Sequence, residues 1–306
     1  MSSQNRILIT LLCLAGLVSG AFASFTDTSM GARAGGLGNV FTAVANDSYG
    51  MFYNPAGPAI VRNSCVGTTY GMYYGGITDG SSVYEADLSF VMPSVSGGFG
   101  FYWQETGLRD YYSEDTVAAG FAMKVMPDLA AGAVLKLRSI GYAANIYSKS
   151  LSKLSISAIS ADLGLLYNIA PGMNAGLSVA DLLSPNVGID TPSIIPATLR
   201  GGVAWYPYSG EASKDLLVAL DGYFGAGNFS VGAGCEYWLM PKVGCVRAGY
   251  SIGDDNLSVI SGGLGFRSAQ LIPGMSVQFD YSFELSMSYA DLGPNHRFSV
   301  NVVLDK

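Results

Sequence analysis

The sequence predicts an all-β protein: a 14-stranded antiparallel transmembrane β-barrel with a small N-terminal helical plug (hatch). Three observations lead to this prediction. The chain begins with an export signal, it is apolar without a stretch long enough for a membrane-spanning helix, and it contains long segments in which apolar and polar residues alternate. In lipid every backbone polar group must be hydrogen-bonded internally, so an exported chain that spans the bilayer without helices has to close into a barrel.

Residues 1–23 have the features of a secretory signal peptide. Arg6 supplies the positive charge, residues 7–20 form an apolar run, and Ala-Phe-Ala follows as a cleavage signal. The run is shorter than the roughly 20 residues that a spanning helix needs. We therefore expect an exported mature chain that begins at Ser24.

The composition is that of a membrane protein. Of the 306 residues, 49% are apolar and only 13% are charged, whereas about a quarter of the residues in a soluble domain are charged. The apolar content and the net charge of −7 exclude a disordered chain. Nineteen tyrosines against one histidine favour aromatic surface over histidine chemistry.

The strand signal is clearest in residues 275–285, where Val277 and Phe279 alternate with Gln278 and Asp280. Strands of about ten residues with a period of two are typical of outer-membrane barrels. A secreted β-sandwich would also alternate, but its strands average about five to six residues. Fourteen such segments can be counted, at residues 65–75, 82–92, 97–104, 115–125, 129–141, 156–167, 173–182, 197–206, 216–223, 229–238, 243–250, 258–267, 275–285 and 296–304.

The prolines give an independent check on this count. Six of the twelve fall in every second connection, at Pro93, Pro127, Pro171, Pro207, Pro241 and Pro273. Proline has no amide hydrogen for the strand ladder and belongs in turns. In bacterial barrels the short turns face the periplasm, and an even strand number puts both chain ends on that side. The longest connections on the opposite side are predicted at residues 105–116, 142–155, 184–196 and 286–295.

The alternation turns seven acidic and seven basic side chains toward the lumen. The predicted lumen charge network comprises Glu85, Asp87, Lys136, Arg138, Asp162, Arg200, Glu236, Arg247, Asp280 and Arg297, and the same alternation turns Asp221, Glu284, Lys124 and Arg267 inward. Balanced charges favour ion pairs that close the lumen over an open pore selective for ions of one sign. A two-residue turn at Pro241-Lys242 predicts that Glu236 lies directly opposite Arg247.

No catalytic or metal site and no cofactor is predicted. His296 is the only histidine, and no serine motif accompanies it. The cysteines lack metal-ligand spacing. A disulfide between Cys235 and Cys245 would suit an oxidising compartment, but the alternation puts these residues on opposite faces of the wall, which favours free thiols.

Residues 24–64 precede the first strand and are predicted to form the plug, with the barrel spanning residues 65–306. The segment is too short for a domain and too apolar for a free tail. A small-residue helix starts near Gly31, and a second short turn of helix follows Met51. Small residues allow such a segment to pack closely inside a barrel.

The plug segment resembles the N-terminal hatch of the FadL superfamily of outer-membrane barrels, and more specifically its PorV/PorQ branch. The matching string is Gly31-x-Arg33, Gly38, Ala43-Val44-Ala45-Asn46-Asp47 and Asn54-Pro55-Ala56-Gly57. Further matches extend to His296-Arg297-Phe298-Ser299, so that the resemblance covers essentially the whole mature chain. It rests on the order and spacing of many weak motifs.

The resemblance implies a location in the bacterial outer membrane and a gating role for hatch residues. On this chain the candidates are Arg33, Asp47, Asn54, Pro55 and Gly57. The alternative is that they cap short helices and hold the plug in place. Two departures from the family pattern are the short outer loops and the absence of a C-terminal aromatic residue.

Three function classes follow from the resemblance. The first, which we favour at this stage, is a non-enzymatic accessory or cargo shuttle of type IX protein secretion, whose partners would be outer-membrane lipid, the translocon and secreted cargo. The second is a FadL-like channel for a hydrophobic small molecule such as a fatty acid. The third is a structural barrel or adhesin that would depend on the outer loops alone. No nucleic-acid partner is expected.

Overall fold

A computed structural model describes Phe25 and residues 29–147, 150–207, 215–225, 227–239, 243–254 and 257–304, without the side chains of residues 269–272. The predicted signal peptide, residues 1–23, lies outside the described residues, as does the Pro241-Lys242 turn. The chain forms a closed barrel of fourteen antiparallel strands, as the sequence predicts.

Each strand pairs with its neighbours in sequence, and the last strand pairs with the first to close the barrel. The strands are β1 (Ser64–Tyr73), β2 (Val83–Pro93), β3 (Gly97–Leu108), β4 (Tyr112–Met126), β5 (Leu129–Tyr142), β6 (Ser155–Ala170), β7 (Met173–Ala180), β8 (Thr198–Trp205), β9 (Leu216–Gly225), β10 (Asn228–Leu239), β11 (Gly244–Gly253), β12 (Ser258–Ile272), β13 (Met275–Ser286) and β14 (Asn295–Leu304). All fourteen predicted segments are confirmed as strands.

Exposure follows the predicted alternation. Leu135 on β5 and Ile159 on β6 are about two-thirds exposed, at 66% and 64%, on the outer face of the wall. Lys136 and Asp162 point the other way and are buried. An outward apolar band around buried charges is the arrangement that a lipid environment requires.

Most connections on the side of the chain ends, here called the turn end, are tight, although ten residues separate β8 from β9. Pro171-Gly172 joins β6 to β7, and Pro273-Gly274 joins β12 to β13. Gly172 has φ 78° and Gly274 has φ 80°. Proline followed by a residue with positive φ is the sequence of a type II turn, and glycine adopts that φ without a steric penalty.

At the opposite side, here called the loop end, one predicted connection is wrong. Residues 105–116 were expected to form a long loop, but β3 continues to Leu108 and β4 starts at Tyr112. The ladder continues without a break through Glu105–Asp115 to Leu108–Tyr112, so both strands extend beyond the apolar band. The polar residues of this stretch resemble a loop sequence, although the alternation of the strands continues through them. The other three predicted long connections are confirmed.

The helices are short. They are α1 (Ala32–Gly36), α2 (Gly50–Tyr53), α3 (Ala144–Tyr147), and two 3₁₀ turns at Gly57–Ala59 and Ala290–Leu292. Among the described residues, no helix has the length and the apolar character needed to cross a membrane.

Candidate functional site

The plug segment, described from residue 29 to residue 63, packs against the inner face of the wall. α1 contacts β11 to β14, and the Gly57–Ala59 turn contacts β2 to β5. Its apolar side chains, including Met30, Leu37 and Phe41, are fully buried in one cluster with side chains of the wall. The plug therefore lies across the lumen and contacts opposite sides of the barrel.

The wall accommodates the plug backbone through inward-facing glycines, here called the glycine belt: Gly67, Gly100, Gly132, Gly164, Gly176, Gly234 and Gly249. A Cβ at Gly132 would overlap the Pro55 carbonyl oxygen, and one at Gly176 would overlap the Thr42 carbonyl oxygen. Only glycine allows such close approach of two backbones. Alternation alone does not reveal the belt, although the position of these glycines at inward-facing points of their strands is a readable signal.

Arg33 joins the two halves of the plug to the wall. Its Nη1 lies 3.0 Å from Asp47 Oδ2, and its Nε lies 2.8 Å from Glu236 Oε2. Glu236 lies opposite Arg247 in the register, as predicted, with Arg247 Nε 2.7 Å from Oε2. Arg247 Nη1 lies 2.8 Å from Asp280 Oδ1. Two guanidinium groups thus bridge three carboxylates between α1, the Asp47 segment and strands β10, β11 and β13.

Burial raises the pKa of the Asp47 carboxyl above its ordinary value, and the charge and hydrogen bonds of Arg33 offset only part of this effect. Asp47 also accepts a hydrogen bond from the Tyr49 amide, at 3.0 Å. Two of the predicted hatch residues, Arg33 and Asp47, are therefore in direct contact.

A second charge cluster lies toward the loop end. Lys136 Nζ lies 2.7 Å from Asp162 Oδ1 and 2.9 Å from Asp181 Oδ1, and Arg138 Nη2 lies 2.8 Å from Asp181 Oδ2. Asp181 is the first residue after β7. Burial alone would raise its pKa, but the positive charges of Arg138 and Lys136 outweigh burial and lower it to about 2.

Alternation does not identify Asp181 as a member of this charge cluster, because its partners Lys136 and Arg138 are on β5, far away in the chain. Asp181 has φ 54°, a left-handed conformation that aspartate tolerates better than most residues. An aspartate directly after a strand in a connection that must turn back over the lumen is a weak signal that could have found it.

A third cluster has one cation and two acids. Arg297 on β14 lies 2.9 Å, through Nε, from Glu85 Oε2, and its Nη1 contacts Glu284. Arg297 also donates to the hydroxyl groups of Ser29 and Tyr73. The predicted inward position of Glu284 is correct, and the plug contacts this cluster through Ser29.

Two members of the predicted charge network have no ion pair among the described residues. Asp87 is buried and neither of its oxygens makes a well-aligned hydrogen bond. Arg200 packs against aromatic rings, with its guanidinium carbon 5.7 Å from the ring centres of Phe52, Tyr53 and Tyr223. Both side chains face the lumen, as predicted, but neither forms an ion pair with the described residues, since alternation predicts which face a residue occupies but not which partner it reaches.

The remaining inward charges have separate environments. Asp221 Oδ2 accepts the amide hydrogens of Phe41 and Thr42, each at 2.8 Å, and so holds the plug backbone. Arg267 donates to Gln278 and stacks over Trp238, with its guanidinium carbon 4.5 Å from the ring centre. Lys124 lies on the inward face, as predicted, directly opposite the buried Ala130, and it is exposed because it stands at the turn end of the lumen.

Asn54 fastens the middle of the plug. Its Nδ2 donates to the carbonyl oxygens of Thr42 and Leu165, both at 2.9 Å, and its Oδ1 accepts the Ala56 amide at 3.0 Å. Pro55 lies against Gly132 and Gly164 of the glycine belt. Gly57 approaches the Ala45 carbonyl oxygen so closely that a Cβ would not fit. The other three hatch candidates thus all pack at the centre of the plug.

The loop end of the lumen contains an apolar cluster. Phe25, Ile140, Val187 and Ile195 are buried together, with Ile156 packed beside them. The Phe25 ring lies beneath the Arg138 guanidinium, 4.6 Å from ring centre to guanidinium carbon. The N-terminal segment and the 181–197 connection therefore meet over the second charge cluster.

The wall is incomplete beside this apolar cluster. β7 pairs with β6 only from Leu163 to Ala170, so that residues 155–162 of β6 have no partner strand on that side among the described residues. Two hydrogen bonds fasten the 181–197 connection to this edge: the Leu182 amide donates to the Ala161 carbonyl oxygen at 2.9 Å, and the Asp181 amide donates to Asp162 Oδ1 at 2.8 Å. The connection, and not a strand, closes the wall at this point.

The cysteines and the histidine are placed outside these clusters. Cys235 is exposed on the outer face and Cys245 is buried, and both are free thiols, as predicted. His296 stacks on Tyr281 and exchanges a hydrogen bond with its hydroxyl group at 2.9 Å. Within the described part of the chain no group of three or more potential metal ligands is found.

No protein-family model and no curated protein matches the sequence. Solved structures with the same fold do. A FadL homologue of Pseudomonas aeruginosa superimposes with a TM-score of 0.64 at 12% identity over 92% of this chain and 100% of that chain. The toluene transporter TbuX of Ralstonia pickettii gives 0.61 at 14% identity over 92% and 98%. The toluene transporter TodX of Pseudomonas putida gives 0.60 at 12% identity over 91% and 98%. The fold of the chain is therefore that of the FadL-type outer-membrane transporters.

Proposed function

We propose that the chain is a non-enzymatic barrel of the bacterial outer membrane that conducts a hydrophobic small molecule through its wall. The observation that carries this proposal is the apolar cluster around Phe25, located directly behind the stretch of β6 that has no partner strand. Ligand sites are concave and mostly apolar, with a few fixed polar groups. The aromatic ring of Phe25 occupies the space that a hydrophobic ligand would take.

The polar lumen also favours transfer through the wall over transfer along the barrel axis. Below the apolar cluster the plug is held by the Arg33–Glu236 ion pair and by the glycine belt, so that a hydrophobic molecule gains nothing by continuing along the barrel axis. The unpaired edge of β6 offers a sideways route into lipid once the 181–197 connection moves. That the similar folds include two toluene transporters agrees with this reading.

The resemblance to the PorV/PorQ branch, and with it a role in type IX secretion, stays a prediction. The two roles differ in their partners. A secretion role requires a translocon and protein cargo, whereas the channel role requires lipid and a hydrophobic compound. Gentle extraction of tagged protein from native membrane, followed by mass spectrometry, distinguishes them. Translocon subunits or cargo with a shared sorting domain would overturn the channel proposal.

The direct test is uptake of labelled toluene and of a labelled fatty acid by cells with and without the chain. We expect chain-dependent uptake of at least one compound. Phe25→Ala should increase binding of a hydrophobic fluorescent probe to the purified barrel, since it vacates the apolar cluster. Phe99→Ala is the matched control, because Phe99 is half exposed on the outer face. No chain-dependent uptake of either compound would refute the proposal.

A further inference from the structure

Asp87, near the middle of β2, is a buried carboxyl group without a bonding partner. It faces the lumen, is 2% exposed, and neither oxygen makes a well-aligned hydrogen bond, although the Thr69 hydroxyl and the Gly31 amide lie near it. A buried polar atom that is left unsatisfied in a native structure needs a physical explanation. The glycine belt and the three ion-paired clusters do not provide one.

Among the residues that the structure describes, the groups around Asp87 do not include a cation that is free of other carboxylates. Glu85 lies two residues away on the same face of β2, and Tyr49 approaches from the plug. The Thr69 hydroxyl, opposite Asp87 on β1, is already engaged with Ser299 at 2.8 Å. Beyond Glu85 the charged and titratable groups are Arg297, Glu284 and Tyr73.

The charges of this region are unequal. Among the described contacts, Arg297 is the one cation near Asp87, Glu85 and Glu284. It forms ion pairs with both glutamates. With all three carboxyls ionised, two negative charges would remain uncompensated at buried positions. The desolvation free energy of an uncompensated buried charge exceeds what its remaining interactions return. A buried carboxylate in this position therefore takes up a proton and becomes neutral. Asp87 is the member without an ion pair, and so it is the one expected to take up a proton.

We propose that Asp87 is a proton-binding site that holds its proton while the plug is seated. Loss of this proton creates a second carboxylate beside Glu85 and against the buried Tyr49. Repulsion and the need for water then favour displacement of the first part of the plug. Rising pH therefore loosens residues 29–49, whatever compound the barrel conducts, so this proposal does not depend on the proposed function.

The first test needs only the folded barrel. Infrared spectroscopy distinguishes the C=O stretch of a protonated carboxyl from the bands of carboxylates. We expect the protonated band in the wild-type protein at neutral pH and its loss in Asp87→Asn, an isosteric change. Absence of the band from the wild-type protein, or its persistence at full intensity in Asp87→Asn, would overturn the proposal.

The second test follows the plug by hydrogen exchange, as protection relative to unstructured peptides, from roughly pH 6 to pH 9, below the ordinary pKa of tyrosine. Protection of residues 29–49 should fall with pH in the wild-type protein and stay constant in Asp87→Asn. Ser89→Ala is the control, because Ser89 is buried on the same face of β2 and does not titrate. It should behave as wild type. Identical profiles for wild type and Asp87→Asn, or a flat profile for Ser89→Ala, would refute the proton site.

Discussion

Arg33 on the plug and Glu236 on β10 form a two-point ion pair, with Nε 2.8 Å from Oε2 and Nη2 3.0 Å from Oε1. The planar guanidinium matches a carboxylate in this way, and a single ammonium group cannot. The pair fixes the position of α1 against the wall.

Arg33→Gln should loosen the plug and leave the barrel folded. Hydrogen bonds to charged groups contribute about 1.5–3 kcal/mol each, but Glu236 retains Arg247, so we expect a loss of about 2 kcal/mol in the free energy of unfolding in urea. Hydrogen exchange should locate the loss in residues 31–53. Arg62→Gln serves as the control, since Arg62 is exposed at the turn end. Equal effects of the two changes would contradict a fastening role for Arg33.

The glycine belt predicts a sharp difference between inward and outward glycines. Gly132→Ala should cost about 1–3 kcal/mol, as expected for overpacking, because the added Cβ overlaps the Pro55 carbonyl oxygen. Gly201→Ala should be neutral or mildly stabilising, because its nearest neighbour is Leu177 Cδ1 at 3.8 Å on the outer face. Urea unfolding in lipid vesicles measures both. Similar costs for both substitutions would mean that the plug does not seat against the belt.

Much of the barrel can be predicted from local patterns, because in a strand the side-chain period of two is fixed by backbone geometry. Alternation predicted the number of strands and the face of Lys136, Asp162, Glu236 and most other lumen charges. It also predicted that Glu236 lies opposite Arg247, since a short turn sets the register between two strands.

Contacts between distant segments could not be predicted in this way. The pairing of Asp181 with Lys136 and Arg138 depends on how the connection after β7 returns over the lumen. Whether Arg200 meets a carboxylate or an aromatic ring depends on where Phe52 and Tyr53 of the plug are located. Such choices are made by packing in three dimensions, and alternation carries no information about them.

Asp181 makes the connection after β7 sensitive to acid. Its pKa is lowered to about 2 in the folded chain, against about 3.9 in an unfolded one. A lowered pKa contributes stability above the unfolded value, and that stability disappears as the pH falls through the folded value. Protection of residues 181–197 against hydrogen exchange should therefore fall between about pH 4 and pH 2.

Asp181→Asn should reduce this protection already at neutral pH and remove most of its acid dependence. Asparagine accepts the left-handed backbone of this position, so the change tests the charge and not the turn. Asp190→Asn, an exposed change in the same connection, should retain the wild-type acid profile. An acid profile unchanged in Asp181→Asn would assign the transition to another carboxylate.

Asn54 and Pro55 offer the test of gating. The Asn54 side chain joins Thr42 of the plug to Leu165 of β6. Residues 155–162 of the same strand have no partner strand on the β7 side among the described residues. The strand ladder uses neither Asn54 nor Pro55, so Asn54→Ala with Pro55→Ala should fold into the barrel, seen as a heat-dependent band shift in gel electrophoresis. We expect this variant to lose uptake of the hydrophobic compound, because the plug is no longer fastened to β6 and cannot move with that strand. Asn168→Ala, on a polar pair at the turn end, should retain uptake. Wild-type uptake by the folded double variant would leave these residues with the purely structural role of holding the plug.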